Sequence, residues 1–229
     1  VNKAVFQSEQ LAFDLAHRPA FGVEDFFMSR SNELAVRLID DWPAWGQYGQ
    51  ILAGPAASGK THLVNVWRLQ SNATMVKAKD LDSQTLQSLD ARDPICIEDV
   101  DRELLSEANL FHLLNRVKEE NGHILLTTRV SISQLSVELA DLRSRLLALP
   151  SLSINAPDDT LLKAVMIKQF ADRQIAIDPR LVEYLFKRME RSMRAVAELV
   201  EILDKGALRK GRALTRMLAR EILANQQVS

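Results

Sequence analysis

The chain has 229 residues, 47% hydrophobic and 26% charged, with a formal net charge of −1. That composition is ordinary for a folded soluble protein of one domain, or one domain with a small satellite, and its near-neutral balance gives no global electrostatic reason to bind nucleic acid. No apolar run approaches the roughly 18 residues that span a bilayer, no secretory leader opens the chain, and the lone Cys96 excludes an internal disulfide, so a reducing intracellular home is expected.

The first patterned stretch is "QSEQLAFDLAH" (7–17), where Leu11, Phe13 and Leu15 recur at every second position behind Gln10. Such spacing suits a strand, a strip packed on the protein's own body, or a peptide offered to a partner. From about 48 to 156, short apolar runs alternate with helical patterns. "QILA" (50–53), "ATMVKA" (73–78), "ICIEDV" (95–100), "HILLTT" (123–128) and "SLSINA" (151–156) read as strands buried in a parallel sheet. The clearest helix lies at 103–120, where Leu110, Leu113, Leu114 and Val117 keep helical spacing and "ENG" (120–122) supplies a closing glycine. This alternation predicts a layered α/β domain.

After "NAPDD" (155–159) the strands stop. Helices are expected at about 158–173, 179–189, 192–205 and 213–225, and the third puts Met193, Val196, Ala197, Val200 and Leu203 on one face, as in a small bundle. The expected organisation is a tail over 1–20, an α/β domain over 21–156 and a helical domain over 157–229. "KGALRKGRALTRMLAR" (205–220) holds six Lys/Arg and no acid, which suits a solvated helix face or an anion or partner contact. His17, His62, His112 and His123 lack metal-ligand spacing.

"GPAASGKT" (54–61) matches G-x-x-x-x-G-K-[ST] in full, between a strand and a helical pattern, the context this loop demands. Backbone N–H groups of such a loop and of the following helix N-terminus surround a β-phosphate. Gly54, Ser58, Gly59 and His62 belong to that cradle, Lys60 would reach the β/γ oxygens and Thr61 would hold Mg²⁺. The chemistry also needs acid at a neighbouring strand end to hold metal and place water. Glu98 and Asp99 stand there, with Glu98 in the metal place; a helix-capping pair is the plain alternative. The next strand ends in "TTR" (127–129), where Thr128 sits beside the γ-phosphate or simply makes the strand-end turn.

Phosphate loop, acidic strand, polar strand end, then an all-helical domain: in this order the chain resembles the AAA+ ATPases, and within them the clade of the bacterial replication initiator DnaA and its shorter Hda-type relatives. "EANLFHLLNRVKEENGHILLTT" (107–128) looks like that clade's segment from Walker B to sensor 1. "DLRSRLLAL" (141–149) is similar to its box VII, and "SMRAVAELVEILD" (192–204) to its sensor 2 helix. The resemblance implies a five-stranded parallel sheet with an all-α lid, and ADP or ATP with Mg²⁺ as ligands. It implies that Arg145 is the box VII arginine that reaches a neighbouring subunit's nucleotide, and that Arg194 is the sensor 2 arginine. The plain alternatives are ion pairs, of Arg143 and Arg145 with Asp141 or Glu138, and of Arg194 with Glu198 at i+4, the poorer order for a helical pair.

Two departures from the family pattern matter. Glu98 precedes Asp99 where the family usually begins with Asp, which implies slow intrinsic hydrolysis. DnaA continues into a helix-turn-helix domain whereas this sequence ends at Ser229, so the resemblance is closest to the Hda type and sequence-specific DNA binding is not expected. Hda-like proteins carry a hexapeptide Q-L-x-L-x-L for the DNA polymerase III sliding clamp, and Gln10, Leu11, Phe13 and Leu15 match it. The implied role is a clamp-loaded, nucleotide-bound regulator in the bacterial cytoplasm, at the replisome, presenting Arg145 to ATP held by DnaA. No membrane is implied, and homo-oligomerisation stays open. A DNA-engaged initiator or helicase loader, or a stand-alone P-loop enzyme phosphorylating a small molecule, are the other readings; the last leaves box VII and the tail without a use.

Overall fold

The computed structural model describes residues 17–18, 26–101 and 105–226. Gln10, Leu11, Phe13 and Leu15 lie outside the described residues. The described chain forms two units, one over His17–Asp158 and a helical one from Asp159 onward. Among the described residues no helix is long and apolar enough to cross a membrane.

In the first unit, β1 (His17–Arg18) pairs antiparallel with β2 (Phe26–Phe27). Then follow α1 (Glu33–Asp40), β3 (Gly49–Ala53), α2 (Lys60–Ser71), β4 (Thr74–Lys77), α3 (Ser83–Ser88), β5 (Ile95–Glu98), α4 (Glu107–Glu119), β6 (Ile124–Thr128), α5 (Ala140–Leu147) and β7 (Ser151–Ser153). The expected five-stranded sheet is present, in the order β4-β5-β6-β3-β7 with every pair parallel. Its carboxyl edge is where an open α/β sheet offers a binding crevice.

Both faces of the central strands β3, β5 and β6 are covered, which is why they read as near-continuous apolar runs, whereas the edge strands β4 and β7 are only partly buried. Successive side chains point to opposite faces. Ile51, Ile95, Ile97, Ile124 and Leu126 pack under α4 and α5, against Leu113, Leu114, Val117, Leu142 and Leu146. The residues between them, Leu52, Cys96 and Leu125, pack under α1 and α2, against Val36, Ile39, Val64 and Trp67. Cys96 is therefore a buried core thiol, and burial pushes its pKa well up. Below the same face Trp45 stacks on Trp67 at 5.3 Å, and His123 meets Trp45 edge-on at 5.9 Å.

Several expected boundaries move: the runs 73–78 and 151–156 shorten to Thr74–Lys77 and Ser151–Ser153, and around β5 and α4 the reasons are visible. The strand over 95–100 ends at Glu98, because Asp99 turns out of line with φ +59°. The helix expected at 103–120 begins at Glu107, where the Ser106 hydroxyl accepts from Asn109 N at 3.4 Å, an N-cap that marks a helix start. At its other end the left-handed residue is Asn121, φ +58°, not the glycine. Gly122 N then donates to Val117 O at 2.9 Å, closing a Schellman turn. Gly122 is required for another reason: a Cβ there would lie 1.9 Å from the Ala91 carbonyl oxygen.

The second unit contains α6 (Asp159–Asp172), α7 (Pro179–Phe186), α8 (Met193–Lys210) and α9 (Arg216–Gln226). Its core joins Leu162, Met166, Phe170, Leu185, Val196, Val200, Leu203 and Leu218, the bundle that the helical spacing predicts. Two details differ. Ala197 is exposed, while Leu199 and Ala207 extend the buried face. The helix expected to stop at 205 runs on to Lys210, through Gly206, and ends on left-handed Gly211. Gly206 is kept inside a helix because Ile222 of α9 packs 2.6 Å from where its Cβ would stand.

Candidate functional site

The loop 54–61 springs from the carboxyl end of β3, the strand between β6 and β7. Gly54 N donates to Thr128 O at 3.1 Å, and Ile154 N donates to Ala53 O at 2.7 Å, so the loop starts between two pinned backbones. A Cβ on Gly54 would fall 2.4 Å from the Ile154 carbonyl oxygen. Within the loop Ala57 and Gly59 are left-handed, at φ +58° and +99°; the turn they make aims the chain into α2. Gly59 caps α2 with no side-chain hydrogen bond, so no side chain competes with an anion for the first-turn amides.

Two side chains show what the loop is built to hold. Ser58 is buried and its Oγ has no partner among the described residues; an orphaned buried hydroxyl costs about 1–3 kcal/mol, a cost a phosphate oxygen would remove. Lys60 is also buried, with Nζ donating to the carbonyl oxygens of Gly54 at 2.6 Å and Pro55 at 2.8 Å. Burial lowers its pKa, and Asp99, Asp101 and Glu98 offset part of that. The ammonium is thus held by two loop carbonyls within the electrostatic reach of the acids at the end of β5. His62 lies half-buried and Thr61 exposed in the first turn of α2.

The acid edge is a cross-strand construction. Glu98 ends β5 and is buried. Asp99 N donates to the Thr127 hydroxyl at 3.0 Å and Val100 N to Thr127 O at 2.9 Å, which fixes the turn against β6. Arg129 closes it: its Nε stands 3.8 Å from Asp99 Oδ1, and its backbone N donates to Asp101 Oδ1 at 2.9 Å. Neither Asp101 nor Thr127 stands out in the sequence, Thr127 lying inside the run 123–128 and Asp101 one residue past the run 95–100; only the pairing of two strand ends gives them a role. The Thr128 hydroxyl is engaged within its own turn, donating to Val130 O at 3.0 Å and accepting from Val130 N at 3.2 Å. Among the described residues no group of three or more His, Cys, Asp or Glu could cage a metal. Thr61, at the start of α2, and Glu98, at the end of β5, are oxygen donors of the kind a Mg²⁺ site uses when phosphate oxygens and waters complete its ligands.

Arg145 is not brought to this loop. Its Nη2 donates to Asn115 Oδ1 at 2.6 Å, and it hydrogen-bonds Tyr48, whose phenol pKa burial raises and Arg145 lowers. Tyr48 precedes β3 whereas the loop follows it, and the five residues of strand between them span about 16 Å. The expected alternatives, Asp141 and Glu138, do not pair with it; Arg145 has no carboxylate partner among the described residues. Its helix α5 takes its N-terminal cap from a distance: the Glu107 carboxylate accepts from Glu138 N at 3.0 Å and Leu139 N at 2.7 Å. In the helical unit, Arg194 forms the pair that helix statistics disfavour, donating from Nε to Glu198 Oε1 at 2.6 Å, and that contact raises its pKa.

Comparison with known proteins places both units. Residues 158–223 match the family described as Hda, lid domain. An uncharacterized protein of Haemophilus influenzae is 27% identical over 183 residues, 74% of this chain and 79% of that protein. Domain III of the replication initiation protein DnaA from Thermotoga maritima superposes with a TM-score of 0.74 at 17% identity, covering 87% of this chain and 94% of that one. AMPPCP-bound DnaA from Aquifex aeolicus gives 0.65 at 16% identity, over 81% and 67%. The RuvB Holliday junction branch migration motor of T. maritima gives 0.68 at 18%, over 86% and 69%. The fold is that of these DnaA and RuvB structures, and the helical unit is similar to the Hda lid domain.

Proposed function

We propose, for a chain that carries an Hda lid domain on the AAA+ fold, a nucleotide-binding regulator of replication initiation that acts on the initiator DnaA. In this reading the loop amides and the first turn of α2 hold the β-phosphate of ADP or ATP, with the Ser58 hydroxyl as a further donor. Lys60 exchanges its two carbonyl partners for phosphate oxygens. Thr61 and Glu98 would hold Mg²⁺, which neutralises charge on the β and γ oxygens. Asp99 positions water, Thr128 stands beside the γ-phosphate, and Arg194 is the lid's nucleotide contact once it leaves Glu198. With a short carboxylate in the water-positioning place, intrinsic turnover is below about 1 s⁻¹, under the usual range for kinases.

The regulatory act belongs to Arg145. Its anchorage on Asn115 and Tyr48, far from its own loop and without a carboxylate partner, supports a guanidinium offered in trans. An arginine supplied in trans to a partner's nucleotide accelerates hydrolysis by ~10³–10⁵. "QLAFDL" (10–15) would hold the protein to the DNA polymerase III sliding clamp, Gln10 by directional hydrogen bonds and Leu11, Phe13 and Leu15 by filling a pocket. The bacterial cytoplasm, at the replisome, is the corresponding place of action.

One observation carries the reading: an Hda-type lid over residues 158–223 in a chain with an intact phosphate loop. The test is hydrolysis of ATP held by DnaA, with and without this protein, the clamp and DNA. Acceleration that needs both this protein and the clamp supports it. Hydrolysis that stays at DnaA's own rate in the complete mixture rejects it.

A further inference from the structure

Charge is distributed very unevenly along this chain. Residues 159–229 hold 14 of the 29 Lys/Arg and nine of the 30 Asp/Glu, a net +5, which leaves −6 on the remainder. The near-zero total conceals a strongly polarised protein.

Ion pairing concentrates the excess further. Seven acids of the helical unit each take one cation: Glu183 with Lys163, Asp172 with Lys168, Asp204 with Arg173, Asp159 with Arg191, Glu198 with Arg194, Glu201 with Lys205 and Glu221 with Lys210. The cations left without a carboxylate partner among the described residues include Arg209, Arg212, Arg216 and Arg220, all exposed and all at the junction of α8 and α9. Arg216 and Arg220 are one helical turn apart on α9, about 6 Å along the axis. Glu221, the one acid in this stretch, is engaged by Lys210 and feels Arg212 next most strongly. Arg188 extends the surface from α7: its guanidinium lies 3.9 Å from the Tyr184 ring centroid, and that of Arg216 lies 4.8 Å from the same ring. Stacking on an aromatic face holds a guanidinium in place; Arg188 spends Nη1 on the Tyr184 carbonyl oxygen at 3.0 Å, and its other N–H groups remain for a phosphate.

From this we infer that the α8–α9 surface binds the phosphate backbone of duplex DNA without reading its sequence. Arginine forks match phosphate oxygens in bidentate geometry, and duplex DNA presents charge at a density that rewards several unpaired cations at once. An acidic protein face fits less well, because protein interfaces place apolar anchors at their centre and few charges. Here Tyr184 is covered by guanidiniums, and the exposed Leu208 of α8 and Met217 of α9 each adjoin an arginine rather than forming an apolar patch. A lipid surface fits less well again. It would need an outward apolar helix face, but Leu218, Ala219 and Ile222 of α9 are buried in the bundle.

The test is fluorescence anisotropy of the full chain with two 25-base-pair duplexes of unrelated sequence, across a salt series. Nucleotide and DnaA are absent from the assay, so its outcome is separable from that of the proposed function. Both duplexes should bind alike, with log affinity falling against log salt at a slope of about −3 to −4, as four phosphate contacts require. Arg212→Ala/Arg216→Ala/Arg220→Ala should bring that slope about 3 units nearer zero and weaken binding at low salt at least tenfold, uniformly across sequences. Arg180→Ala, at the start of α7 and without a carboxylate partner among the described residues, should change nothing. Lysine at the same three positions keeps the charge and the fold, and should retain the slope. The inference is overturned by undetectable binding in low salt, by an unchanged slope in the alanine variant, or by a strong preference for one duplex. It is equally overturned if poly-glutamate or phosphatidylserine vesicles bind this surface and DNA does not.

Discussion

Replacing Gly54 by Ala tests whether the nucleotide loop is held open by backbone contact. The added Cβ would start 2.4 Å from the Ile154 carbonyl oxygen and 3.0 Å from Ser58 Oγ. The serine hydroxyl can rotate away. The carbonyl cannot, because Ile154 N is bonded to Ala53 O at 2.7 Å and its side chain is buried. To regain a 3.0 Å contact the loop and the segment after β7 must part by at least 0.6 Å, an overpacking change that typically costs 1–3 kcal/mol. For a unit of this size that lowers the melting temperature by roughly 3–10 °C. The same shift moves the loop amides off the phosphate position, so ADP affinity should fall at least tenfold, about 1.4 kcal/mol. Trp42, Trp45 and Trp67 all lie in the α/β unit, so tryptophan fluorescence reads its melting separately from that of the lid, and calorimetry reads ADP. A variant that melts within about 1 °C of the parent and binds ADP equally would refute the reasoning, since the carbonyl must then give way freely.

Lys60→Ala should remove most ADP affinity by calorimetry, and unchanged affinity would exclude the ammonium as the phosphate's partner. Arg145→Ala should leave ADP and clamp binding intact while abolishing the acceleration of DnaA-bound ATP hydrolysis; normal acceleration would move the role to another arginine, Arg143 first. A peptide of residues 7–17 should compete with the full protein for the clamp, and Leu11→Ala/Phe13→Ala in the chain should abolish clamp binding without lowering the melting temperature. If those anchors were internal core, the same change would cost about 2–5 kcal/mol per side chain and the peptide would not compete. Burial lowers the pKa of His123, so on acidification the unfolded chain takes up the proton first and stability of the α/β unit falls as pH drops below the ordinary histidine value. His123→Phe should flatten that decline in tryptophan-monitored melts between pH 7 and 5; an unchanged pH profile would show that another group is responsible.

Much of this protein was determined locally. A strand covered on both faces is apolar at nearly every position, so the central strands β3, β5 and β6 were legible as short runs; the edge strands β4 and β7 were legible from the alternation with helices, and the bundle from helical spacing. The loop 54–61 was equally legible, because its glycines, lysine and threonine act through backbone geometry that neighbouring residues enforce. Tertiary structure decided whatever depends on atoms distant in sequence. Gly122 is needed for the Ala91 carbonyl 31 residues earlier, and Gly206 stays helical because Ile222 fills the space above it. Asp101 and Thr127 became parts of the acid edge only when β5 and β6 paired, and Arg145 found Asn115 and Tyr48 rather than the acids beside it in sequence. Side-chain pairing is settled by which backbones the fold brings within a few ångströms, and sequence spacing reports that only within one helix or one turn.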